Sequence, residues 1–195
     1  INSNEFKLYR GYNKFEIYKR KKNFLDRGNF AKILSVQGDI QDYDCANGSF
    51  LFLNSTLRSI IIYNPKKNKS FSFNIFLNMN KHDSLSKGIS YGNKGIIVVG
   101  FNTGNVNTFD LNGNLHENFI LPSCKDIFRK IIYLENELYL VLSRNMVRIF
   151  SKTEFRYVSE LNNYRWSSPC DAKVIGKSIF IANKETDSVE FIEDY

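Results

Sequence analysis

A fold made of short antiparallel strands, arranged as the four-stranded blades of a β-propeller, is what this 195-residue sequence predicts. Three observations carry the prediction. Aromatic marks recur at near-constant spacing, each mark closes a short apolar segment, and polar stretches rich in Gly, Asn and Ser separate the segments. Four strands in a period near forty residues is the unit of a propeller blade, and no helical periodicity competes with it.

The marks are Tyr18, Tyr63, Phe109, Phe150 and Phe191, separated by 45, 46, 41 and 41 residues. They close the segments Phe15 to Tyr18, Ile60 to Asn64, Val106 to Asp110, Val147 to Ser151 and Val189 to Ile192. Before each lies a run of Phe, Ile, Val and Leu: Phe6 to Tyr9, Phe50 to Leu53, Ile96 to Val99, Leu138 to Leu142 and Ile179 to Ala182. This composition, bounded by turn residues, predicts short strands. A further strand is expected ahead of most runs, at Ile40 to Tyr43, Gly88 to Tyr91, Ile131 to Leu134 and Ala172 to Ile175. Another follows the marks, at Phe71 to Leu77, Leu115 to Leu121 and Phe155 to Leu161. The first unit lacks a convincing innermost strand and the last stops after its third, so about four and a half blades are expected.

Burial explains why such units stack. A lone four-stranded meander has two apolar faces and covers neither, whereas stacking around an axis buries both against neighbours. The chain therefore reads as one propeller domain over 1–195, with blades at about 1–38, 39–80, 81–122, 123–165 and 166–195, a partial ring that is a fragment of a longer propeller.

Composition narrows the classes. Hydrophobic residues make up 43% and charged residues 24%, enough for one packed domain or at most two small ones. The longest apolar runs, Ile60 to Tyr63 and Gly95 to Phe101, fall far short of the roughly 20 residues of a bilayer helix. Cys45, Cys124 and Cys170 make neither a disulfide framework nor a CxxC zinc spacing. The charge of +7 comes from 27 Lys and Arg against 20 Asp and Glu, and a lysine excess raises pI without naming a partner. Neither the cell envelope nor the cytoplasm is selected by these features.

The third unit, GISYGNKGIIVVGFNTGNVNTFDLNGNL from Gly88 to Leu115, and the fifth, SPCDAKVIGKSIFIANKETDSVEFIED from Ser168 to Asp194, resemble NHL-type repeats and related six-bladed propellers. Those families open a blade with Pro or Gly and close its third strand with a hydrophobic-x-x-Phe followed by Asp and Gly. The second unit, Asp39 to Asn64, fits the same outline, and the WD pattern is disfavoured because no Trp-Asp or Gly-His dipeptide marks a blade. Resemblance implies a rigid ring whose loop-bearing faces bind peptides, proteins or small ligands, with single-stranded RNA as the alternative and a metal-dependent lyase or lactonase as the third choice.

Candidate residues follow from these classes. The connection Asn162 to Cys170 carries Tyr164, Arg165 and Trp166, types enriched in binding hot spots, although Trp166 also suits a plug between blades. The inter-blade loops with His82, Asp83 and Lys125, and the hairpins with Arg58, Arg144 and Lys184, should share its face. For nucleic acid, Lys19, Arg20, Lys21, Lys22 and Lys66, Lys67, Lys69 offer phosphate contacts in turns after the third strands, without an aromatic inside the first run. A solvated turn is the plainer explanation of them. His82 and His116 are isolated, no catalytic residue, cofactor or metal is expected, and GFNTGNVN reads as a hairpin turn.

Overall fold

A computed structural model describes residues 5–21, 30–54, 57–75, 85–91, 95–101, 103–121, 129–134, 136, 138–144, 146–153, 156–160 and 168–193. They form strands and turns, and no α-helix occurs among them. Among the described residues, eighteen strands make five antiparallel sheets of three, four, four, four and three strands, each in sequence order. This is the all-β fold of four-stranded blades, about four and a half of them, that the spacing predicts.

The chain divides into two compact units, 1–76 and 77–195. In the first, β1 (Phe6–Gly11), β2 (Lys14–Arg20) and β3 (Phe30–Gln37) form one sheet. β4 (Ile40–Ala46), β5 (Ser49–Asn54), β6 (Ser59–Asn64) and β7 (Lys69–Asn74) form the next. β3 is a strand the sequence reading did not name. Its run FAKILSVQ has no aromatic mark and its pairing with β2 slips between Ile17 and Tyr18. Phe15, Ile17 and Val36 of the first sheet meet Ile40, Phe50, Phe52 and Tyr63 of the second in one core. β1 and β2 alternate apolar and polar residues, as a sheet with one wet face must, whereas Phe50 to Leu53 is apolar throughout and fully buried.

The second unit holds β8 (Leu85–Tyr91), β9 (Ile97–Phe101), β10 (Asn105–Phe109) and β11 (Leu115–Ile120). β12 (Lys130–Tyr133), β13 (Leu138–Leu142), β14 (Val147–Ser151) and β15 (Arg156–Glu160) follow, then β16 (Pro169–Ile175), β17 (Ser178–Asn183) and β18 (Ser188–Glu193). The middle sheet buries both faces by simple alternation. Tyr139, Val141 and Phe150 pack on Val98, Val106 and Phe119 of the preceding sheet. Leu140, Leu142 and Ile149 pack on Ile179, Ile181 and Ile192 of the following one. Where β8 and β12 converge, space is so short that only glycine fits: a Cβ on Gly88 would lie 2.9 Å from the Ile131 backbone nitrogen. Beside it the Tyr133 N–H donates to Ser90 Oγ at 3.1 Å.

Tyr63, Phe109, Phe150 and Phe191 fall on the third strand of their sheets and Tyr18 on β2, the middle strand of the first, but Phe191 is out of phase. Tyr63 and Phe150 turn back onto the preceding sheet. Tyr18 takes the same sense, since Ile17 beside it faces the following sheet. Phe191 does not. In β18 the buried residue is Ile192, packed on the preceding sheet, while Phe191 is 43% exposed and rests on Phe180 at 4.9 Å between ring centres. Adjacent strand residues face opposite ways, so this one-residue slip turns the aromatic outward.

Candidate functional site

Polar turns connect the sheets, and their chemistry is local. After Phe109, the Asp110 carboxylate accepts from the Asn112 and Asn114 backbone N–H groups and from Asn114 Nδ2, each at 2.8 Å. Gly113 follows at φ +87, where an L side chain would be strained. The Asn114 side-chain bond, then its backbone bond, hold the Asp110 carboxyl below its ordinary value of 3.8. Asn64 does the same work one sheet earlier, accepting from the N–H groups of Lys66 and Lys67 at 3.0 Å. Lys66 and Lys67 therefore belong to a built turn, with exposed side chains, and Lys69 opens β7. Lys19 and Arg20 lie within β2 rather than in a turn, and Lys19 sits 3.5 Å from the Glu5 carboxylate. Lys21 is exposed just beyond β2, and Lys22 lies outside the described residues.

The hairpins between second and third strands carry the predicted cations. Arg58 closes the β5–β6 hairpin at φ +47, and Asn54, fully buried, organises that turn by accepting from Leu57 N–H at 3.0 Å and donating to the Gln37 carbonyl at 2.8 Å. In the second unit, Arg144 and Lys184 are exposed on the β13–β14 and β17–β18 hairpins. Tyr164, Arg165, Trp166, His82, Asp83 and Lys125 lie outside the described residues. His116 is exposed on β11, the edge strand of its sheet.

At the same end of the second unit the structure brings together four residues that sequence reasoning missed. Arg129 extends β12 through its N–H to the Leu142 carbonyl, and its Nη1 reaches Ser168 Oγ at 2.6 Å and the Pro169 carbonyl at 3.5 Å. Ser168, at φ +64, also accepts the Lys184 N–H through its carbonyl. Beside it the Lys130 ammonium, in a residue only 8% exposed, lies 3.5 Å from Asp171 Oδ1. Ser168 thus ties the entry of β16 to the β17–β18 hairpin and to the preceding sheet. Five N–H donors belong to a guanidinium, and these bonds engage one nitrogen of Arg129.

A second cluster lies on the face of the first sheet turned away from its neighbour. Register places Lys7, Tyr9, Lys14, Glu16, Tyr18 and Lys32 there. Lys7 Nζ stands 4.3 Å from the centre of the Phe30 ring, and Tyr9 meets Tyr18 edge-on at 5.2 Å. Glu16 accepts from Lys32 Nζ and from Tyr18 Oη, both at 3.2 Å. The Lys32 bond holds the Glu16 carboxyl below its ordinary value, while desolvation and the adjacent carboxylate push the Tyr18 hydroxyl up.

Among the described residues, no group of three or more His, Cys, Asp or Glu could hold a metal, Cys45 and Cys170 form no disulfide, and no helix is long and apolar enough to cross a membrane.

No family model and no curated protein matches the chain. Solved structures do. A protein of unknown function from Bacteroides caccae superposes with a TM-score of 0.67 at 13% identity, over 98% of this chain and 75% of its own. Streptogramin B lyase gives 0.62 at 12% identity, over 98% and 66%, and the WD40 repeats of RRP9 give 0.56 at 9%, over 98% and 55%. The neighbours are propeller-like, and at such identities the likeness is one of fold.

Proposed function

We propose that the chain is a non-enzymatic binding module of the six-bladed, NHL-like kind, whose loop-bearing end takes a carboxylate-bearing peptide, protein or small ligand. One observation carries the reading: Arg129 and Lys130 are held by Ser168, Pro169 and Asp171 beside hairpins presenting Arg144 and Lys184. Cations fixed on stacked sheets recognise a carboxylate with little ordering cost. The Asp-x-x-Gly turn after Phe109 supports the NHL-like form. Fluorescence anisotropy with capped peptides rich in Asp and Glu, against the same peptides carrying Asn and Gln, tests it. The acidic series binds at least tenfold tighter at 0.15 M salt and loses that margin in Arg144→Ala/Lys184→Ala. Equal binding of both series refutes the reading.

A second reading, single-stranded nucleic acid, is favoured by Tyr9, Tyr18 and Phe30 interleaved with Lys7 and Lys32 on the outer face of the first sheet. Aromatic platforms among cations stack bases and follow phosphates. Filter binding of oligouridylate separates the two, since affinity then falls steeply with salt. No retention at low salt removes this reading.

A further inference from the structure

We propose that Asn47 is a site of spontaneous covalent modification, where water converts the side-chain amide to a carboxylate and reroutes the main chain through the β-carbon. The chain holds two Asn-Gly pairs, Asn47–Gly48 and Asn112–Gly113. Both asparagines are exposed. Sequence alone gives them the same chemistry, and the structure separates them.

The reaction at such a pair is internal attack. The glycine backbone nitrogen loses its proton to solvent base and bonds to the asparagine Cγ, and the side-chain nitrogen takes a proton back and leaves as ammonia. Water then opens the five-membered imide at either carbonyl. One opening gives an aspartyl residue, the other an isoaspartyl residue with one more main-chain carbon. One water is consumed for each ammonia released, and nothing is oxidised or reduced. The attack needs a glycine N–H that no acceptor holds and a peptide plane free to turn toward the side chain.

Asn47 and Gly48 form the two-residue turn between β4 and β5, closed by the Ala46–Ser49 pair, with φ of 50 and 74. Neither the Gly48 N–H nor the Asn47 amide has a hydrogen-bond partner among the described residues. A Cβ added to Gly48 would meet nothing within 4 Å, so the plane has room to turn. The second pair is pinned. Gly113 N–H donates to the Asp110 carbonyl at 3.1 Å, and the Asp110 carboxylate holds the N–H groups of Asn112 and Asn114 on either side at 2.8 Å. Giving up such a bond slows attack at Asn112 about fivefold relative to Asn47. The product also matters to the fold. Ser49 opens β5, and Phe50 beside it pairs with Cys45 and is buried in the core of the first two sheets. An added main-chain carbon does not fit a two-residue turn, so the isoaspartyl form loosens this pairing.

The test is incubation of the full chain in heavy-oxygen water at neutral pH, followed by peptide mass spectrometry and isoaspartyl detection. Position 47 gains an acid carrying the heavy oxygen, about fivefold faster than position 112. In concentrated urea the two rates converge, because the Asp110 bonds are gone. Asn47→Gly accepts the positive φ and forms no imide, so its thermal midpoint holds through the incubation while that of the parent falls. No conversion at position 47, equal rates at the two positions in the folded chain, a difference that persists in urea, or a parent midpoint as steady as that of Asn47→Gly each overturns the proposal.

Discussion

Truncating the marks Phe150 and Phe191 of the second unit, together with Ile192 beside the latter, separates their depths. Phe150 is fully buried between two sheets, against Val98, Val106, Phe119, Tyr139 and Val141, so Phe150→Ala removes a whole ring from a closed core. Phe-to-Ala changes at such sites cost about 3–5 kcal/mol. Ile192 is buried at the corresponding place one sheet later, packed with Ile179 and Ile181, and its truncation costs about 2–4 kcal/mol. Phe191 keeps 43% of its surface in water and its contact with Phe180, so Phe191→Ala costs about 1 kcal/mol, the scale of one aromatic pair. Urea unfolding followed by far-UV circular dichroism reads all three, and because all lie within residues 77–195 they report on one compact unit. The order Phe150, Ile192, Phe191 is expected, with unchanged denaturant slopes. A Phe191→Ala cost within 1 kcal/mol of that of Phe150→Ala would refute the slipped-register assignment.

Further predictions rest on single contacts. Gly88→Ala drives a Cβ against the Ile131 backbone nitrogen and costs about 1–3 kcal/mol, read as a lower thermal midpoint; an unchanged midpoint means β8 and β12 are not that close. Asn54→Ala leaves the Leu57 N–H and the Gln37 carbonyl unmatched and costs about 1–3 kcal/mol in the same assay. The Asp110 carboxyl is held below its ordinary 3.8, so its contribution to stability is complete above that value and is lost as pH falls through the lower folded value. The stability gap between the parent and Asp110→Ala is therefore constant from pH 7 to 5 and closes only in stronger acid. A gap that closes near neutrality contradicts the turn's hydrogen bonds.

The fold was legible where burial is two-sided. The run Leu138 to Leu142 is apolar throughout because its strand lies between two sheets of the second unit, and Phe50 to Leu53 is likewise apolar and fully buried. β3 escaped because its apolar positions are interrupted by Lys32 and Ser35, which belong to the wet face of the first sheet. In the fifth unit the pair Phe191–Ile192 is apolar twice over, and spacing alone does not say which member points inward. The candidate site was harder to read for a different reason. Arg129 and Lys130 precede an apolar strand and look like solvated cations, while their partners Ser168 and Asp171 lie about 40 residues on. Only stacking of two sheets creates that proximity. Of Arg144 and Lys184 only the hairpin placement was legible, because it follows from strand register.

Stacking of successive sheets in the second unit, β12 laid against β8 and β16, is the claim from which the Arg129–Lys130 site derives, and nuclear Overhauser effects on a uniformly labelled sample test it most directly. A strong contact from the Gly88 α-protons to the Ile131 amide proton is predicted, together with one from the Ser90 side chain to the Tyr133 amide. Absence of both, with β12 instead giving cross-strand contacts to β11 as a lateral neighbour in one continuous sheet, would contradict the account.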